Sequence, residues 1–277
     1  MLLIFYLFYL VVFAFGASVG SFLNSVIYRI DSGESFLFSR SYCPKCRHKL
    51  AWYDLIPIFS FIFLKGKCRY CHKKISLQYP MVEAATGLIF LLIFYLQFPF
   101  FPFFARFSLF SFQFLNLIYC LTISSLLIIV FVYDFKKYII LDSIIYSAIA
   151  ISGIWYFVLA VFFHAFGKFD LLNVVCSAFG AFLFFFFLWF VSKGRWMGFG
   201  DVKLAFFMGM FLGSPKIFVA LFSSFFLGAI IGLGLIIIGR KTLKSEIPFG
   251  PFLVTGLFIA MFFGKEIIDF YFKILSI

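Results

Sequence analysis

Residues 112–133 read FQFLNLIYCLTISSLLIIVFVY, a run of 22 residues without a charged side chain. An α-helix needs about 20 apolar residues to cross the roughly 30 Å hydrocarbon core of a bilayer. The run is long enough to do so, and it is followed directly by Asp134 and by the basic pair Lys136 and Lys137. It therefore predicts a helix that crosses a membrane and ends at the water interface.

The rest of the chain has the same character. Of the 277 residues, 65% are hydrophobic and 12% are charged, whereas soluble domains carry about 25% charged residues. This composition excludes a soluble globular domain, a disordered chain and a small disulfide scaffold. We expect an all-α polytopic membrane protein with about eight transmembrane helices. Apolar runs bounded by charges and by Gly or Pro predict one span before residue 28 and others at 81–99, 112–133, 143–164, 171–192, 202–213 (a short one), 217–239 and 251–268.

The basic residues indicate an orientation. Four alternate connections, residues 28–80, 134–142, 193–203 and 240–250, hold 18 of the 23 Lys and Arg residues. Because cytoplasmic connections carry the excess of positive charge, we expect these four on the cytoplasmic side of a cytoplasmic membrane and both termini outside. The net charge of +12 then reflects topology and contact with membrane lipids, and predicts no nucleic-acid partner.

One connection, residues 28–80, is long enough to form a domain. It divides the chain into a first helix (1–27), a cytoplasmic domain (28–80) and a membrane domain (81–277). Two CxxC pairs with 21 residues between them supply four cysteines to this connection: Cys43, Cys46, Cys68 and Cys71. Paired cysteines at such spacing are typical of a structural zinc site, in which four thiolates surround the metal as a tetrahedron. The alternative is a pair of disulfides, which a reducing cytosol disfavours.

Two aspartates lie at the ends of predicted spans. Asp134 ends the third span, and Asp201 opens the sixth within the sequence GFGD at residues 198–201. Two complete crossings separate them, so both return to the same membrane face. Two neighbouring carboxyl groups do not both ionise readily, which leaves one acid and one base, as in an aspartic hydrolase.

Three residues near Asp201 are candidates for supporting roles. Gly198 and Gly200 would let backbone and substrate approach closely. Lys203 would either lower the pKa of a carboxyl group or extend to the lipid headgroups. The alternative for Asp201 is a structural one, because an aspartate at the start of a helix is a favourable cap.

Several short sequences follow one another along residues 16–255: GSFLNSVIYR at 20–29, the two cysteine pairs, WYDLIP at 52–57, YPMVE at 79–83, GFGDVK at 198–203 and PFGP at 248–251. In these sequences the chain resembles the type IV prepilin peptidase family, membrane aspartyl proteases of the GxGD type. The resemblance implies that Asp134, and not the nearby Asp142, forms the catalytic pair with Asp201.

The resemblance also implies substrates and a second activity. The substrates would be type IV prepilin or pseudopilin precursors of bacterial pilus and type II secretion systems, cleaved after a basic leader at the cytoplasmic face of the inner membrane. The new N-terminal residue would then be methylated with S-adenosylmethionine, and Gly66 and Lys67 match the family's pattern in the region assigned to that step.

Two other readings remain open for the whole chain. It would be a GxGD intramembrane protease with other substrates, or a membrane scaffold anchored by zinc in which the aspartates are caps. A further acid, Glu83, opens the second span. We expect it to pair with a Lys or Arg of the preceding connection, the alternative being that it lines the site.

Overall fold

The computed structural model of the protein describes residues 2–33, 41–98, 107–163, 167–239, 242 and 246–275. Regular structure in these ranges is helical, and β pairing is limited there to two isolated bridges, Tyr42 with Lys49 and Lys67 with Lys74. The predicted all-α fold class is confirmed. The α-helices are α1 (Leu2–Ser32), α2 (Phe59–Phe63), α3 (Gln78–Gln97), α4 (Phe107–Lys137), α5 (Asp142–Val158), α6 (Lys168–Ser192), α7 (Phe199–Leu212), α8 (Lys216–Ile237) and α9 (Gly250–Leu275).

Seven of the described helices are long and apolar enough to cross a membrane, namely all of these except α2 and α7. The protein is therefore a multi-pass membrane protein. Helix α7 corresponds to the predicted short span and contains 14 residues, a length of about 21 Å that falls short of the bilayer core. It begins at Phe199, three residues before the predicted start, and this places Asp201 inside its first turn.

Contacts divide the chain into two compact units, residues 1–128 and 129–277, with the boundary inside α4. In the first unit α1 packs along α3. At their crossing a Cβ atom on Gly20 would lie 2.8 Å from the Cα atom of Glu83, so the glycine lets the two backbones approach closely. The connection between these two helices contains the four cysteines.

In the second unit α6 packs along α7, and α8 packs along α9. Helix α7 also contacts α5 and α9. Half of its 14 residues are buried, and Val202, Leu204 and Met208 are completely buried. A helix that is apolar all round is stable where neighbouring helices surround it. The neighbours of α7 therefore fix the position of its first turn, which carries Asp201.

Candidate active site and metal site

Asp134 lies in the last turn of α4, at the end of the apolar run. Its side chain is enclosed by the protein, and the residue is only 4% exposed. The backbone N–H of Gly250, the first residue of α9, donates a hydrogen bond to the carboxylate. A buried carboxylate needs such donors, because burial removes the water that would otherwise solvate it.

Asp201 is the third residue of α7 and is 6% exposed. The backbone N–H of Gly198, the N-cap residue of α7, donates to its carboxylate. The ring of Phe199 packs edge-on against Trp189 with the ring centroids 5.1 Å apart, which fixes the start of the helix. The carboxylates of Asp134 and Asp201 are close enough for the charge of one to act on the other.

Two glycines allow this close approach. A Cβ atom on Gly250 would lie 2.6 Å from Oδ2 of Asp134 and 3.2 Å from Cδ1 of Ile140. A Cβ atom on Gly200 would lie 2.8 Å from Cβ of Ile140. Cβ contacts below 3.0 Å are essentially absent from proteins, so neither position accepts a side chain without a shift. At Gly198, in contrast, the nearest described atom to a Cβ atom would be the Gly200 nitrogen at 3.9 Å, which leaves room for a side chain.

An aromatic cluster holds the residue before Gly250. The ring of Phe249 lies 5.2 Å from that of Phe225 on α8 and 6.2 Å from that of Phe185 on α6, measured between centroids. Phe185 is completely buried. Because these rings immobilise Phe249, the next backbone N–H group keeps its direction towards Asp134.

Lys203 does not point at the aspartate pair. Its Nζ atom lies 2.7 Å from Oδ1 of Asp142, and it sits over the rings of Tyr146 and Phe199, 5.2 and 5.3 Å from their centroids. The ion pair joins the first turn of α7 to the first turn of α5. Asp142 is thus bound to a lysine, whereas the charge of Asp134 acts on Asp201.

The four cysteines of the first unit form one cluster. Each offers a sulfur atom, and the four Sγ atoms lie within 4.8 Å of one another. All four are free thiols. A zinc ion with bonds of about 2.3 Å to four sulfurs in a tetrahedron requires sulfur separations of about 3.8 Å. The donor set and its spacing therefore fit zinc.

The two cysteine pairs are built in the same way. The Cys43 N–H donates to the His48 carbonyl at 3.0 Å, and the Cys68 N–H donates to the Lys73 carbonyl at 2.9 Å. The residue after each pair has a left-handed backbone, with φ of 58° at Arg47 and 57° at His72. Residues 41–50 and 66–75 are consequently two copies of one turn, which the sequence analysis did not recognise.

Backbone donors prepare the first cysteine as a ligand. Burial raises the pKa of the Cys43 thiol, but the N–H groups of Cys46 and Lys45, together with the Cys68 and Cys46 thiols, donate to its sulfur and bring the pKa down to about 7. Zinc binds the thiolate form. The turn therefore favours the form of Cys43 that binds metal.

Gly66 and Lys67 lie at the start of the second turn. Gly66 has a φ of 68°, and a Cβ atom there would meet the ring of Phe61 at 3.0 Å. Lys67 is exposed and forms the backbone bridge with Lys74. These contacts explain the glycine as a turn residue, and a role of either residue towards S-adenosylmethionine stays a prediction.

The structure adds two residues to the predicted site. Gly250 and Ile140 contact the aspartate pair or its glycines, and neither was assigned a role from the sequence. Gly250 belongs to the sequence PFGP at 248–251, one of those that carry the family resemblance, and this is the signal that could have identified it. Glu83 was expected to pair with a Lys or Arg. Its carboxylate instead accepts a hydrogen bond from the backbone N–H of Ile58 at 2.7 Å and another from the side chain of Ser21.

Comparisons with known proteins point to one family. Residues 14–97 match the bacterial peptidase A24 N-terminal domain, and residues 120–233 match the type IV leader peptidase family. The chain is similar to the prepilin leader peptidase/N-methyltransferase of Bacillus subtilis (strain 168), with 31% identity over 275 residues, 95% of this chain and 97% of the relative.

Two further relatives have the same name. The protein of Legionella pneumophila is 31% identical over 288 residues, covering 95% of this chain and 94% of the relative. That of Aeromonas salmonicida (strain A449) is 27% identical over 296 residues, covering 96% and 94%. No solved structure matches. Similarity of this extent includes both cysteine pairs and both aspartates within the matched residues, and the chain belongs to the type IV leader peptidase family.

Proposed function

We propose that the protein removes the leader peptide from type IV prepilin or pseudopilin precursors and then methylates the new N-terminal amine. The relatives that share most of its length are named for these two activities. The observation that carries the peptidase assignment is the pair of buried carboxyl groups, Asp134 from α4 and Asp201 from α7, which act on each other.

The pair would hydrolyse the peptide bond by general acid and base catalysis. One carboxylate takes a proton from water as the water oxygen attacks the carbonyl carbon of the scissile bond. The other, protonated, carboxyl group gives its proton to the leaving nitrogen as the C–N bond breaks. The products are the free carboxyl end of the leader and the amino end of the mature chain. The donors from Gly250 and Gly198 orient the two carboxyl groups.

Methylation is assigned to the cytoplasmic domain, residues 28–80, and hydrolysis to residues 81–277. S-adenosylmethionine supplies the methyl group when it is bound. Gly66 and Lys67 are the residues we propose for that step on the strength of the family pattern. The cysteine cluster would hold zinc as a structural staple, because so short a connection buries too little apolar surface to fold alone.

We also propose the orientation. The protein lies in the inner membrane of a bacterium with both termini outside the cytoplasm, and the basic connections face the cytoplasm. Precursors are then met at the cytoplasmic face, where their leaders lie. A basic leader is not attracted to the basic connection of residues 28–80, so the precursor's apolar helix supplies the binding energy.

The test is cleavage of a purified prepilin by purified enzyme, read as the mass of the mature N-terminus. Asp134→Asn and Asp201→Asn should each abolish cleavage, whereas Asp269→Asn, an exposed aspartate of α9, should cleave at the wild-type rate. Full cleavage by either site variant refutes the assignment. If the aspartates were helix caps, the two variants would lower the unfolding temperature and leave turnover unchanged.

A further inference from the structure

An apolar surface lies on the connection that carries the cysteines. Within residues 52–63, seven large hydrophobic side chains are exposed, and the largest exposures are 77% for Trp52 and 80% for Phe63. The others are Tyr53, Leu55, Ile56, Phe59 and Ile62. Exposure of so many apolar side chains of one short segment to water is unfavourable, and it marks a surface that meets a partner.

Helix α2 presents one face to the outside. Its exposed residues, Phe59, Ile62 and Phe63, follow the spacing of one helix face. The opposite face is bound to the domain, because the Ser60 hydroxyl donates to the Asp54 carbonyl at 2.7 Å. The ring of Phe61 packs against Gly66, 3.0 Å from the position that a Cβ atom would take there. The exposed face is therefore held outwards by contacts on its back.

A hydrogen bond fixes the depth of this surface. The backbone N–H of Ile58 donates to Oε2 of Glu83 at 2.7 Å. Glu83 is the sixth residue of α3, about 7.5 Å along the helix axis from its first residue. Helix α3 has 20 residues and is just long enough to cross a bilayer, so all of it is needed within the apolar layer. A group bonded to Glu83 consequently lies about 7.5 Å inside the end of α3, a depth that corresponds to the boundary between headgroups and acyl chains.

The turn before α2 is strained, and Glu83 holds it. Ile58 has φ 62° and ψ −52°, and the Phe59 N–H donates to the Pro57 carbonyl at 2.6 Å. This is a γ-turn of the rare form, which is unfavourable for a β-branched residue. Such a backbone persists where its surroundings over-determine it. The buried carboxylate does so by accepting the Ile58 N–H.

Cations follow the apolar face directly. Lys65 and Lys67 are exposed and come immediately after α2. Lysines beside a bilayer reach its anionic headgroups, while Trp and Phe occupy the boundary between headgroups and acyl chains.

We propose that the anchor face, defined as Trp52, Phe59, Ile62 and Phe63, inserts into the headgroup boundary of the bilayer beside α3. It fixes the cysteine domain at the membrane surface, and Glu83 is the positioning residue that sets its depth. This inference concerns lipid contact and is independent of the proposed enzymatic activities.

The experiment measures Trp52 fluorescence in the full-length protein, reconstituted in vesicles of phosphatidylcholine and phosphatidylglycerol. The difference between wild type and Trp52→Phe isolates the signal of this residue. We expect that signal to be lost with lipids brominated near the carbonyl ends of their acyl chains, and to persist with iodide in the water. Quenching by iodide and not by brominated lipid overturns the proposal, as does quenching by neither together with protein–protein crosslinks at Trp52.

Two sets of variants test the mechanism of anchoring. Glu83→Ala should transfer Trp52 from lipid quenching to iodide quenching, whereas Glu83→Gln should behave as wild type, because its amide oxygen still accepts the Ile58 N–H. Phe59→Ser combined with Ile62→Ser and Phe63→Ser leaves Glu83 in place and should cause the same transfer. Zinc content checks that the domain stays folded. Persistent lipid quenching in folded Glu83→Ala and serine variants contradicts the anchor face.

Discussion

The replacement Gly250→Ala tests the packing around Asp134. The new Cβ atom would lie 2.6 Å from Oδ2 of Asp134, and real Cβ contacts begin at 3.0–3.4 Å. The carboxylate or the backbone must therefore move by about 0.4–0.8 Å in a close-packed interior. A catalytic group misplaced by about 1 Å loses roughly 100-fold in rate. We expect kcat/KM for prepilin cleavage to fall roughly 10- to 100-fold, which is about 1.4 to 2.7 kcal/mol of transition-state stabilisation.

The matched control is Gly180→Ala on α6, where a Cβ atom would meet nothing within 4 Å. It should cleave at the wild-type rate and be slightly more stable, because alanine favours a helix by up to about 1 kcal/mol over glycine. Both proteins are assayed for cleavage under single-turnover conditions and for their unfolding temperature. If folded Gly250→Ala cleaves as fast as Gly180→Ala, the Gly250 contact does not position Asp134 and the reasoning fails.

Three further outcomes follow from the contacts described above. Gly200→Ala should slow cleavage because its Cβ atom would lie 2.8 Å from Cβ of Ile140. Adding Ile140→Ala should restore part of the cleavage rate. A double variant that cleaves no faster than Gly200→Ala contradicts this packing. Lys203→Met should lower the free energy of unfolding by only about 1 kcal/mol or less, since its partner Asp142 is exposed. A complete loss of cleavage in the folded variant would show that the lysine acts on the aspartate pair after all. Purified protein should contain about one zinc per chain. Acidification should release the zinc because the thiolates become protonated as the pH falls. Cys43→Ser should lose the metal, and full zinc content in that variant would refute the cysteine cluster as the zinc site.

The helices were predictable because their apolar runs are long and are separated by charges. Their ends were less so. The sequence placed the short span at 202–213, counting from the last charge before the apolar run, whereas α7 begins at Phe199. The difference arises because Gly198 takes an extended backbone and its N–H bonds the Asp201 carboxylate, a local contact that hydropathy does not register. Helix α2 was not predicted, since five residues carry too little periodicity.

The sequence was sufficient to predict which two acidic residues lie close together in the site. Counting crossings places Asp134 and Asp201 on one face, and the structure brings them together. The donors and packing partners were not predictable, because Gly250 and Ile140 reach the pair through tertiary packing and no local pattern connects them. The partner of Lys203 is likewise 61 residues away at Asp142. Long-range pairs of this kind depend on helix packing and not on sequence spacing.

The charges around the aspartates favour the proposed catalytic role over a structural one. Among the described residues, Asp54 is paired with Arg69 and Asp142 with Lys203, and neither Asp134 nor Asp201 has an ion-pair partner. Lys203 is only two residues from Asp201, yet it is bound elsewhere. A helix cap or a structural acid is most stable in contact with water or a cation, whereas two buried carboxylates without one repel each other. The arrangement is least unfavourable when the pair shares one proton, and that is the state from which an aspartic hydrolase begins its reaction.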